Sequence, residues 1–345
     1  MSKSYSLKIK DIIRETEKAV QLVFEVPQAL KEEFKFKSGQ YVNLETKIKG
    51  ETVRRSYSIC ASPNEDLAVA IKELEGGIFS SYANQDLKVG EPVDVFSPEG
   101  NFLLEASEKE TTYIAFAAGS GITPILSMIK TILKEGKHKF VLVYGNRSPK
   151  ETMFLEELLS LQQQHPERFF VEYIYSRKQA ENYTFGRIER STINYVLKNK
   201  YANVTFKQYL LCGPEEMIYN TQEVLQENGV EKDAIAFELF HSTEEGEDVA
   251  KEGFSEIEVR VDDETYTFSM NQQDVILDAA LHEDIDAPYS CQGGICSSCV
   301  AKVVEGQAKM RKNQILTDEE VEDGLILTCQ AHPTSAKIII DFDDV

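Results

Sequence analysis

Four cysteines near the end of the chain constrain its fold more than any other feature. Three of them follow the spacing C-x4-C-x2-C, and the fourth lies in a separate segment. The four residues are Cys291, Cys296, Cys299 and Cys329. Two-iron, two-sulfur clusters are held by this spacing, because a tight loop can present three thiolates while a remote segment supplies the last. Gly293 and Gly294 in the loop allow a sharp turn that brings backbone N–H groups against the sulfurs.

A structural zinc site and four ordinary buried cysteines are the alternatives to a cluster. Zinc sites usually pair their ligands in two short knuckles, whereas Cys329 stands alone. The pattern therefore favours an iron–sulfur cluster as a hypothesis. Residues 287–299 and 327–329 also closely resemble the plant-type ferredoxins. That resemblance implies a small β-grasp-like domain in which the four cysteines are the metal ligands.

Length and charge limit the domain count and the class of partner. A chain of 345 residues is long for one hydrophobic core and suggests two or three domains. The formal net charge of −21 argues against nucleic acid, whose binding requires a basic surface. From residue 255 to 345, 19 acidic residues stand against 6 lysines and arginines, a net charge of −13. This acid either keeps the domain soluble or forms a negative docking surface for a basic redox partner.

The sequence has no feature of a signal peptide or of a membrane span. Its first eight residues contain no apolar core, and no run approaches the ~18 apolar residues that cross a bilayer. The cysteine pattern does not suggest a disulfide framework. We therefore expect a cytoplasmic protein without membrane insertion. The five histidines show no metal-binding spacing and are expected at the surface.

Residues 1–107 alternate short β-patterned runs with turns, which predicts a small antiparallel barrel. On one predicted strand, Arg55 and Tyr57 project from the same side. An arginine can hold a phosphate bidentately, and a flat phenol can lie against a flat ring. Two glycines ending at Gly77 precede a predicted short helix, whose N-terminus is a natural phosphate site with Ser80 adding a hydroxyl. Taken singly, these residues could be a surface arginine, a core tyrosine and a simple turn.

Residues 108–240 alternate strands with helices, which predicts a right-handed, mainly parallel sheet. Ligands of such sheets bind at the C-terminal ends of the strands. Gly119, Ser176 and Cys212 all fall at predicted strand ends. The turn over residues 119–124 joins a strand to a helix N-terminus, an arrangement that binds a dinucleotide pyrophosphate, although it lacks a full G-x-G-x-x-G.

Four short motifs in these two regions resemble the ferredoxin–NADP reductase family. They are Arg-x-Tyr-Ser at residues 55–58, Gly-x-x-Ser at 77–80, Gly-x-Gly-Ile-Thr-Pro at 119–124 and Cys-Gly-Pro at 212–214. The resemblance implies an FAD-binding barrel in which Arg55, Gly77 and Ser80 contact the FAD phosphates. It also implies that Tyr57 stacks on the isoalloxazine and that Ser58 lies near the flavin N5.

The same resemblance implies which residues contact the nicotinamide nucleotide. Those residues are Gly119, Ser120, Gly121, Thr123, Pro124, Cys212, Gly213 and Pro214, and Lys72 is a further expected cofactor-binding residue. Cys212 would lie beside the nicotinamide and the flavin. Family members with an appended ferredoxin have an aromatic residue near position 240 that covers the flavin. Phe240 is the candidate for this role, and a core phenylalanine at a strand end is the alternative.

Ser176 and Arg177 match the position at which NADP-using members of the family bind the 2′-phosphate. An arginine with an adjacent hydroxyl suits a dianion, whereas NAD users tend to place a carboxylate there. The pair therefore favours NADPH over NADH, and Arg187 is a candidate second contact. The alternative is an arginine that makes a surface ion pair at the strand end.

The predicted fold class is multidomain β + α/β + α+β. It comprises an FAD-binding barrel over residues 1–107, a NAD(P)-binding domain over 108–240, an acidic linker over 241–254 and a 2Fe-2S domain over 255–345. A flavin accepts the hydride of NADPH and releases electrons one at a time to an iron–sulfur cluster. The resemblance therefore implies an oxidoreductase that moves electrons from NADPH through FAD and a 2Fe-2S cluster to an external acceptor.

The order of the domains is similar to that in reductase components of multicomponent oxygenases. The expected partner is thus a separate oxygenase that docks on the acidic ferredoxin domain. A membrane fatty-acid desaturase or alkane hydroxylase is the alternative acceptor. A redox-sensing binding module is the alternative from another class, and the intact motifs at residues 55–58 and 212–214 argue against it.

Overall fold

The computed structural model describes residues 3–105, 107–177, 183–240 and 253–345. The chain forms two compact units, one of residues 3–240 and one that contains residues 241–345. The linker expected over 241–254 falls mainly on residues 241–252, which lie outside the described residues.

The first part of the larger unit is an antiparallel barrel. Its elements are β1 Ser4–Thr16, β2 Ala19–Glu25, β3 Tyr41–Ile48, β4 Glu51–Ser58, β5 Ala68–Lys72, α1 Ile78–Gln85 and β6 Pro92–Phe96, with a 3-10 turn at Gln28–Leu30. The strand order is β4-β3-β6-β1-β2-β5. A backbone bridge between Ile59 and Val69 joins the two outer strands, so the sheet closes on itself. Alternate residues of β1 and β2, such as Leu7 and Phe24, are buried inside it.

The second part of the same unit is a six-stranded sheet with helices. Its elements are β7 Thr112–Ala118, α2 Ile122–Glu135, β8 Lys139–Asn146, α3 Leu155–Gln164, β9 Phe169–Tyr175, β10 Thr184–Phe185, α4 Arg190–Tyr195, β11 Phe206–Gly213, α5 Glu215–Glu227 and β12 Ile235–Leu239. Short 3-10 turns at Gly119–Gly121, Pro149–Glu151 and Lys232–Ala234 and a π-helical turn at Val196–Lys200 complete it. The strand order is β10-β9-β8-β7-β11-β12, and each neighbouring pair is parallel.

Helix α2 packs closely against both the barrel and the six-stranded parallel sheet of β7 to β12, which is called the nucleotide sheet below. A Cβ on Gly121 would lie 2.1 Å from the carbonyl oxygen of Cys212, so only a glycine lets the helix begin so close to β11. Further along the helix, Ser127 Oγ donates a hydrogen bond to the carbonyl oxygen of Ala61 in the barrel at 2.5 Å. The first of these contacts places the start of α2 at the C-terminal edge of the sheet, where ligands of parallel sheets bind.

The smaller unit has its own hydrophobic core. Its elements are β13 Phe254–Val261, β14 Glu264–Asn271, α6 Ile276–His282, β15 Val300–Glu305, β16 Ala308–Met310, α7 Asp318–Glu322, β17 Leu325–Leu327, β18 Ala331–Pro333 and β19 Lys337–Asp341. Five strands form one sheet in the order β14-β13-β19-β15-β17, and β16 pairs with β18. β13 and β19 are parallel, whereas the other pairs in these two sheets are antiparallel. The predicted fold class is confirmed in all three parts of the chain.

The expectation that every histidine is a surface residue is wrong. His138 and His332 are both 0% exposed. The His138 ring packs edge-on against Tyr113, with 5.8 Å between the ring centroids. His332 Nε2 accepts a hydrogen bond from Arg311 Nε. In both cases the packing comes from segments distant in sequence, which spacing alone does not reveal. Among the described residues, no helix is long and apolar enough to cross a membrane.

Candidate cofactor-binding and electron-transfer site

The expected nucleotide-binding residues lie along one edge of the parallel sheet. From β9 to β11, the C-terminal strand ends place Ser176 first, then Arg147, then Gly119 and finally Cys212. Neighbouring strands are about 4.8 Å apart, so the ends of β9 and β7 are separated by about 10 Å. Ligands of parallel sheets bind along such an edge, and β12 adds Glu238 beside Cys212 as its register partner.

The turn Gly119–Gly121 forms the middle of this edge. Gly119 has a φ of +57°, in the left-handed region that glycine adopts without strain. Its carbonyl oxygen accepts a hydrogen bond from Tyr144 at 3.0 Å. Thr123 Oγ1 donates to the carbonyl oxygen of Ser120 at 3.0 Å, which fixes the turn against the first residues of α2. Pro124 occupies the first turn of the helix, where proline is tolerated.

A lysine from the barrel reaches this turn. Lys72 Nζ lies 3.6 Å from the position that a Cβ on Gly119 would occupy. Burial and the nearby charge of Arg147 lower the pKa of Lys72. Lys72 thus lies beside the N-terminus of α2, whose own partial positive charge attracts anions. This arrangement fits the pyrophosphate of a dinucleotide.

Cys212 occupies the end of the site nearest the barrel. Its side chain is 0% exposed, and burial together with the charge of Glu238 raises the pKa of the thiol well above its ordinary value. The thiol is therefore neutral near pH 7. Glu238 Oε2 in turn accepts a hydrogen bond from Ser58 Oγ at 2.8 Å. Ser58 from the barrel, and Cys212 and Glu238 from the nucleotide sheet, consequently meet at one place.

The barrel presents the residues expected to hold FAD around β4 and α1. Arg55 is exposed, and its Nη1 donates to the carbonyl oxygen of Arg54 at 2.6 Å. The Tyr57 ring is half-buried and lies 5.5 Å from the Phe79 ring, measured between centroids. Burial raises the pKa of Tyr57, which remains a neutral phenol. An exposed arginine beside a flat, uncharged ring fits a phosphate and a flavin ring respectively.

The glycine turn before α1 is tight. A Cβ on Gly77 would lie 2.4 Å from Ser80 Oγ, so a larger residue would displace that hydroxyl. Ser80 is buried, and its Oγ accepts from the backbone N–H of Leu74 at 3.1 Å and donates to the carbonyl oxygen of Gly77 at 3.3 Å. The hydroxyl therefore holds the turn together at the N-terminus of the helix, where backbone N–H groups are available to an anion.

The remaining expected residues of this unit follow three of its strands: Phe240 follows β12, Ser176 and Arg177 follow β9, and Arg187 lies shortly after β10. Phe240 is half-buried and packs against the main core. Arg177 and Arg187 are both exposed. Ser176 is half-buried, and its backbone N–H donates to the carbonyl oxygen of Asn146 at 3.0 Å. The Arg177 side chain is thus exposed to solvent at the β9 end of the sheet edge.

The four expected metal ligands of the smaller unit form two pairs. Cys291 Sγ and Cys296 Sγ are 3.1 Å apart, and the Cys299 and Cys329 thiols are within hydrogen-bonding reach of each other. The described residues contain no group of three or more ligating side chains that could hold one metal ion. A two-iron cluster requires two thiolates at each iron, so a pairwise donor set fits it.

Backbone contacts hold the cysteine loop in place. The N–H of Gly293 donates to Cys291 Sγ at 3.4 Å. Gly294 has a φ of +71°, and a Cβ there would lie 3.2 Å from the carbonyl oxygen of Lys312. Thr328 donates to the carbonyl oxygen of Cys299 through both its N–H, at 3.0 Å, and its Oγ1, at 2.9 Å. The remote segment is therefore fastened directly to the loop.

Sequence reasoning did not single out Glu238 and Arg147, which lie at the same edge of the sheet as the expected nucleotide-binding residues. Glu238 lies in the segment Ala-Phe-Glu-Leu-Phe, which reads as an ordinary strand. Arg147 follows β8 directly, so its place at a strand end was the available signal. The signal for Glu238 was weaker, since only the pairing of β12 with β11 brings it beside Cys212.

Three families match successive parts of the chain. Residues 6–103 match the oxidoreductase FAD-binding domain, residues 116–223 the oxidoreductase NAD-binding domain, and residues 259–334 the 2Fe-2S iron-sulfur cluster binding domain. The expected combination of a flavin domain, a nucleotide domain and an iron–sulfur domain on one chain is therefore confirmed.

Characterised relatives align with the chain along nearly its whole length. A 1,2-phenylacetyl-CoA epoxidase subunit from Escherichia coli (strain K12) is 35% identical over 353 residues, covering 99% of each chain. The ferredoxin reductase component of 3-ketosteroid-9-alpha-monooxygenase of Rhodococcus rhodochrous is 30% identical over 354 residues, covering 99% of this chain and 97% of the relative.

The fold is also similar to that of solved structures. Phthalate dioxygenase reductase, described as a modular structure for electron transfer from pyridine nucleotides to [2Fe-2S], superposes with a TM-score of 0.66 at 22% identity and covers 98% of both chains. Full-length similarity to the epoxidase subunit, together with the three domain matches, establishes the family. The chain is an oxidoreductase of the ferredoxin–NADP reductase family, in the group whose FAD- and NAD-binding domains are followed by a plant-type 2Fe-2S domain.

Proposed function

We propose that this protein is the NADPH-dependent reductase component of a multicomponent oxygenase. The observation that carries the proposal is the order of groups along the nucleotide sheet. Arg177 lies at one end, the Gly119 turn with Lys72 in the middle, and Cys212 with Glu238 at the other end, where Ser58 of the barrel meets them. That order matches NADPH bound with its 2′-phosphate at the Arg177 end, its pyrophosphate at the Gly119 turn and its nicotinamide beside the barrel.

The residues of the barrel would hold the flavin and exclude water from it. Arg55 and the α1 N-terminus would bind the FAD phosphates, and the neutral Tyr57 ring would stack on the isoalloxazine. When bound, FAD supplies the conversion between hydride transfer and single-electron transfer. The neutral Cys212 thiol places no charge beside the nicotinamide, and Phe240 would cover the flavin until the nucleotide arrives.

Ser58 and Glu238 would orient the reacting groups. Because Glu238 accepts the Ser58 proton in a hydrogen bond, the Ser58 oxygen keeps its lone pairs directed away from the carboxylate. The two side chains thus form a fixed polar pair where the flavin N5 and the nicotinamide would meet. A fixed pair aligns the reactants, and alignment of this kind can lower a large part of the free-energy barrier to transfer.

The choice of NADPH rests on Ser176 and Arg177. An exposed arginine next to a hydroxyl provides the charge and the hydrogen bonds that a 2′-phosphate requires. Arg187 is exposed as well and would be a second cation for the same phosphate. A carboxylate, which would favour NADH, does not occupy either position of the pair.

The smaller unit would be the exit for electrons. Cys291 and Cys296 would bind one iron, and Cys299 and Cys329 the other. Helix α7 offers an exposed acidic surface beyond this loop, and an oxygenase with a basic surface would dock on it. The relative from E. coli, which aligns over 99% of its length, is named as a subunit of 1,2-phenylacetyl-CoA epoxidase. We therefore propose an oxygenase of that kind as the acceptor.

Anaerobic titration with NADPH tests the proposal. We expect the flavin absorbance to fall and the 2Fe-2S spectrum to bleach, and purified protein without FAD would contradict it. Reconstitution should then restore turnover of a phenylacetyl-CoA epoxidase oxygenase but not of a fatty-acid desaturase or alkane hydroxylase, and the reverse result would identify the other acceptor. Absence of NADPH-dependent cytochrome c reduction would instead favour a redox-sensing module.

A further inference from the structure

Lys130 lies on a buried face of α2 and links the two parts of the larger unit. Its side chain is 12% exposed. Its Nζ is 2.6 Å from Glu157 Oε1 in α3 and 3.5 Å from Glu65 Oε2 in the barrel. Glu65 belongs to the connection between β4 and β5. One ammonium group therefore joins a helix of the nucleotide-binding part to the barrel that carries the expected flavin site.

A second contact reinforces this link from the barrel side. Glu15 Oε2 on β1 accepts a hydrogen bond at 3.0 Å from the backbone N–H of Phe154, the residue directly before α3. Glu157 lies in the first turn of that helix. Two residues of the barrel, Glu15 and Glu65, thus reach the same place, where α2 and the start of α3 lie side by side.

Lys130 is held in its charged form by this surrounding. Burial alone lowers its pKa, but the charges of Glu157 and Glu65 outweigh burial and raise it. Because the Lys130 side chain is only 12% exposed, its ammonium group depends on these two carboxylates, whereas the Glu157 and Glu65 side chains are 36% and 46% exposed. The link is therefore a fixed contact between the barrel and the nucleotide-binding part.

The position of Lys130 on α2 connects this link to the nucleotide turn. α2 begins at Ile122, directly after Gly119–Gly121, and Lys130 lies eight residues further on, about 12 Å along the axis. A helix is stiff over that length. A shift of α2 at Lys130 would consequently move the turn that holds the pyrophosphate.

We propose that Lys130 is a positioning residue for hydride transfer, which sets the distance between the nicotinamide and the flavin by anchoring α2 to Glu65 of the barrel. This inference rests on the proposed function. Misplacement of reacting groups by about 1 Å can slow a transfer on the order of a hundredfold, even when binding is unaffected. The residue would act through α2 and would touch neither cofactor.

Three single variants, one matched control and one double variant test the inference in the full-length, cofactor-loaded protein. Lys130→Met removes the charge, Lys130→Arg retains it, and Glu65→Gln removes the barrel partner. Lys134→Met is the matched control, because Lys134 is exposed one turn further along the same helix. Glu65→Gln keeps an oxygen that can accept from the Ser62 N–H, the bond that Glu65 makes within its own turn at 2.8 Å.

The measurement is anaerobic stopped-flow reduction of FAD by saturating NADPH, normalised to bound FAD, with the nicotinamide–flavin charge-transfer absorbance recorded in parallel. We expect Lys130→Met to slow hydride transfer about tenfold or more and to weaken the charge-transfer band. Glu65→Gln should slow it in the same direction, while Lys130→Arg and Lys134→Met should retain at least half of the wild-type rate. A double variant of Lys130→Met and Glu65→Gln should be no slower than Lys130→Met alone.

Wild-type rates and charge-transfer bands in both Lys130→Met and Glu65→Gln would overturn the inference. If Lys130→Met fails to fold, Glu65→Gln decides, since the Glu65 side chain is 46% exposed and its loss leaves the core intact. A lowered melting temperature with an unchanged rate per bound FAD would show a structural role only and would also overturn it. Failure of the wild type to be reduced by NADPH would contradict the proposed function instead.

Discussion

Ser58 and Glu238 are 180 positions apart in the sequence, yet Ser58 Oγ donates a hydrogen bond to Glu238 Oε2 at 2.8 Å. Ser58 ends β4 of the barrel, and Glu238 lies in β12 at the edge of the nucleotide sheet. The bond joins the two parts of the larger unit beside Cys212, where the flavin and the nicotinamide are proposed to meet.

Glu238→Gln and Ser58→Ala should each slow flavin reduction by saturating NADPH. Ser58→Ala removes the fixed pair that would align the reactants, so we expect a loss of about ten- to a hundredfold in the rate constant, whereas Glu238→Gln keeps an oxygen that accepts from Ser58 but removes its charge, so we expect a smaller loss in the same direction. Stopped-flow spectroscopy measures this rate. Glu216→Gln, an exposed position on α5, is the control. Losses that multiply in the double variant would show that the two residues do not act as a pair.

Arg55→Ala should weaken retention of FAD. An arginine that holds a phosphate contributes charge-assisted hydrogen bonds, so its removal should weaken FAD binding about ten- to a hundredfold. The ratio of flavin absorbance to protein after extensive dialysis measures retention. Lys47→Ala is a suitable control, because Lys47 is an exposed cation on the neighbouring strand β3. Normal occupancy in the Arg55 variant would remove this residue from the proposed site.

Arg177→Ala should raise KM for NADPH by about tenfold or more and leave KM for NADH nearly unchanged. The reason is that only NADPH carries the 2′-phosphate that this cation is proposed to bind. Steady-state ferricyanide reduction with each nucleotide gives both constants. Arg190→Ala is the control, since Arg190 is paired with Glu223 and Glu227 on α5. Equal effects on the two nucleotides would contradict the NADPH assignment.

Cys329→Ala should abolish the iron–sulfur spectrum and retain NADPH-to-ferricyanide activity, because the larger unit would still transfer electrons through the flavin. Cytochrome c reduction should fall with the cluster. Cys60→Ala serves as the comparison: Cys60 is a buried thiol of the barrel, outside the proposed ligand set. Iron and acid-labile sulfide analysis of both variants checks the result, and a full cluster in Cys329→Ala would mean that another residue is the fourth ligand.

Glu15→Gln should change how stability depends on pH. Burial raises the pKa of Glu15 above its ordinary value of 4.5, and the charge of Glu157 adds to this. The folded protein therefore binds this proton more tightly than the unfolded chain does. The resulting stability is fully present below pH 4.5 and is lost as the pH rises through the folded-state pKa.

The glutamine variant carries no charge and keeps an oxygen to accept from the N–H of Phe154. Its melting temperature relative to the wild type should accordingly increase as the pH rises above 4.5. Circular dichroism melts between pH 4 and pH 8 measure the difference. Glu17→Gln, at an exposed position of the same hairpin, should show no such trend. A difference that narrows with rising pH would contradict the burial of Glu15.

The sequence alone was sufficient for features that depend on local spacing. Three such features could be predicted. They are the cysteine loop, the alternation of strands and helices after residue 108, and the glycine turns at Gly77 and Gly119. Each is decided by a few consecutive residues whose backbone requirements or periodicity are specific. The order of the three domains followed from these motifs.

Contacts between distant segments could not be predicted in the same way. Glu238 lies in a plain strand sequence, and Lys130 in an amphipathic helix whose sequence does not show which of its charges is paired. Their partners, Ser58 and Glu65, are brought near only by the packing of the barrel against α2 and β12. His138 and His332 show the same limit, since isolated histidines carry no pattern that distinguishes core from surface.

The parallel pairing of β13 with β19 has a consequence for biosynthesis. β19 is the last strand in chain order, and it lies between β13 and β15 in the middle of the sheet. Until residues 337–341 have left the ribosome, the strand that hydrogen-bonds to both β13 and β15 is missing. The hairpin of β13 and β14 is then not joined by a sheet to the strands that flank the cysteine loop. A nascent chain halted before residue 337 would already contain all four thiols but no closed sheet to hold them, so iron and sulfide should be loaded only after translation has passed this strand.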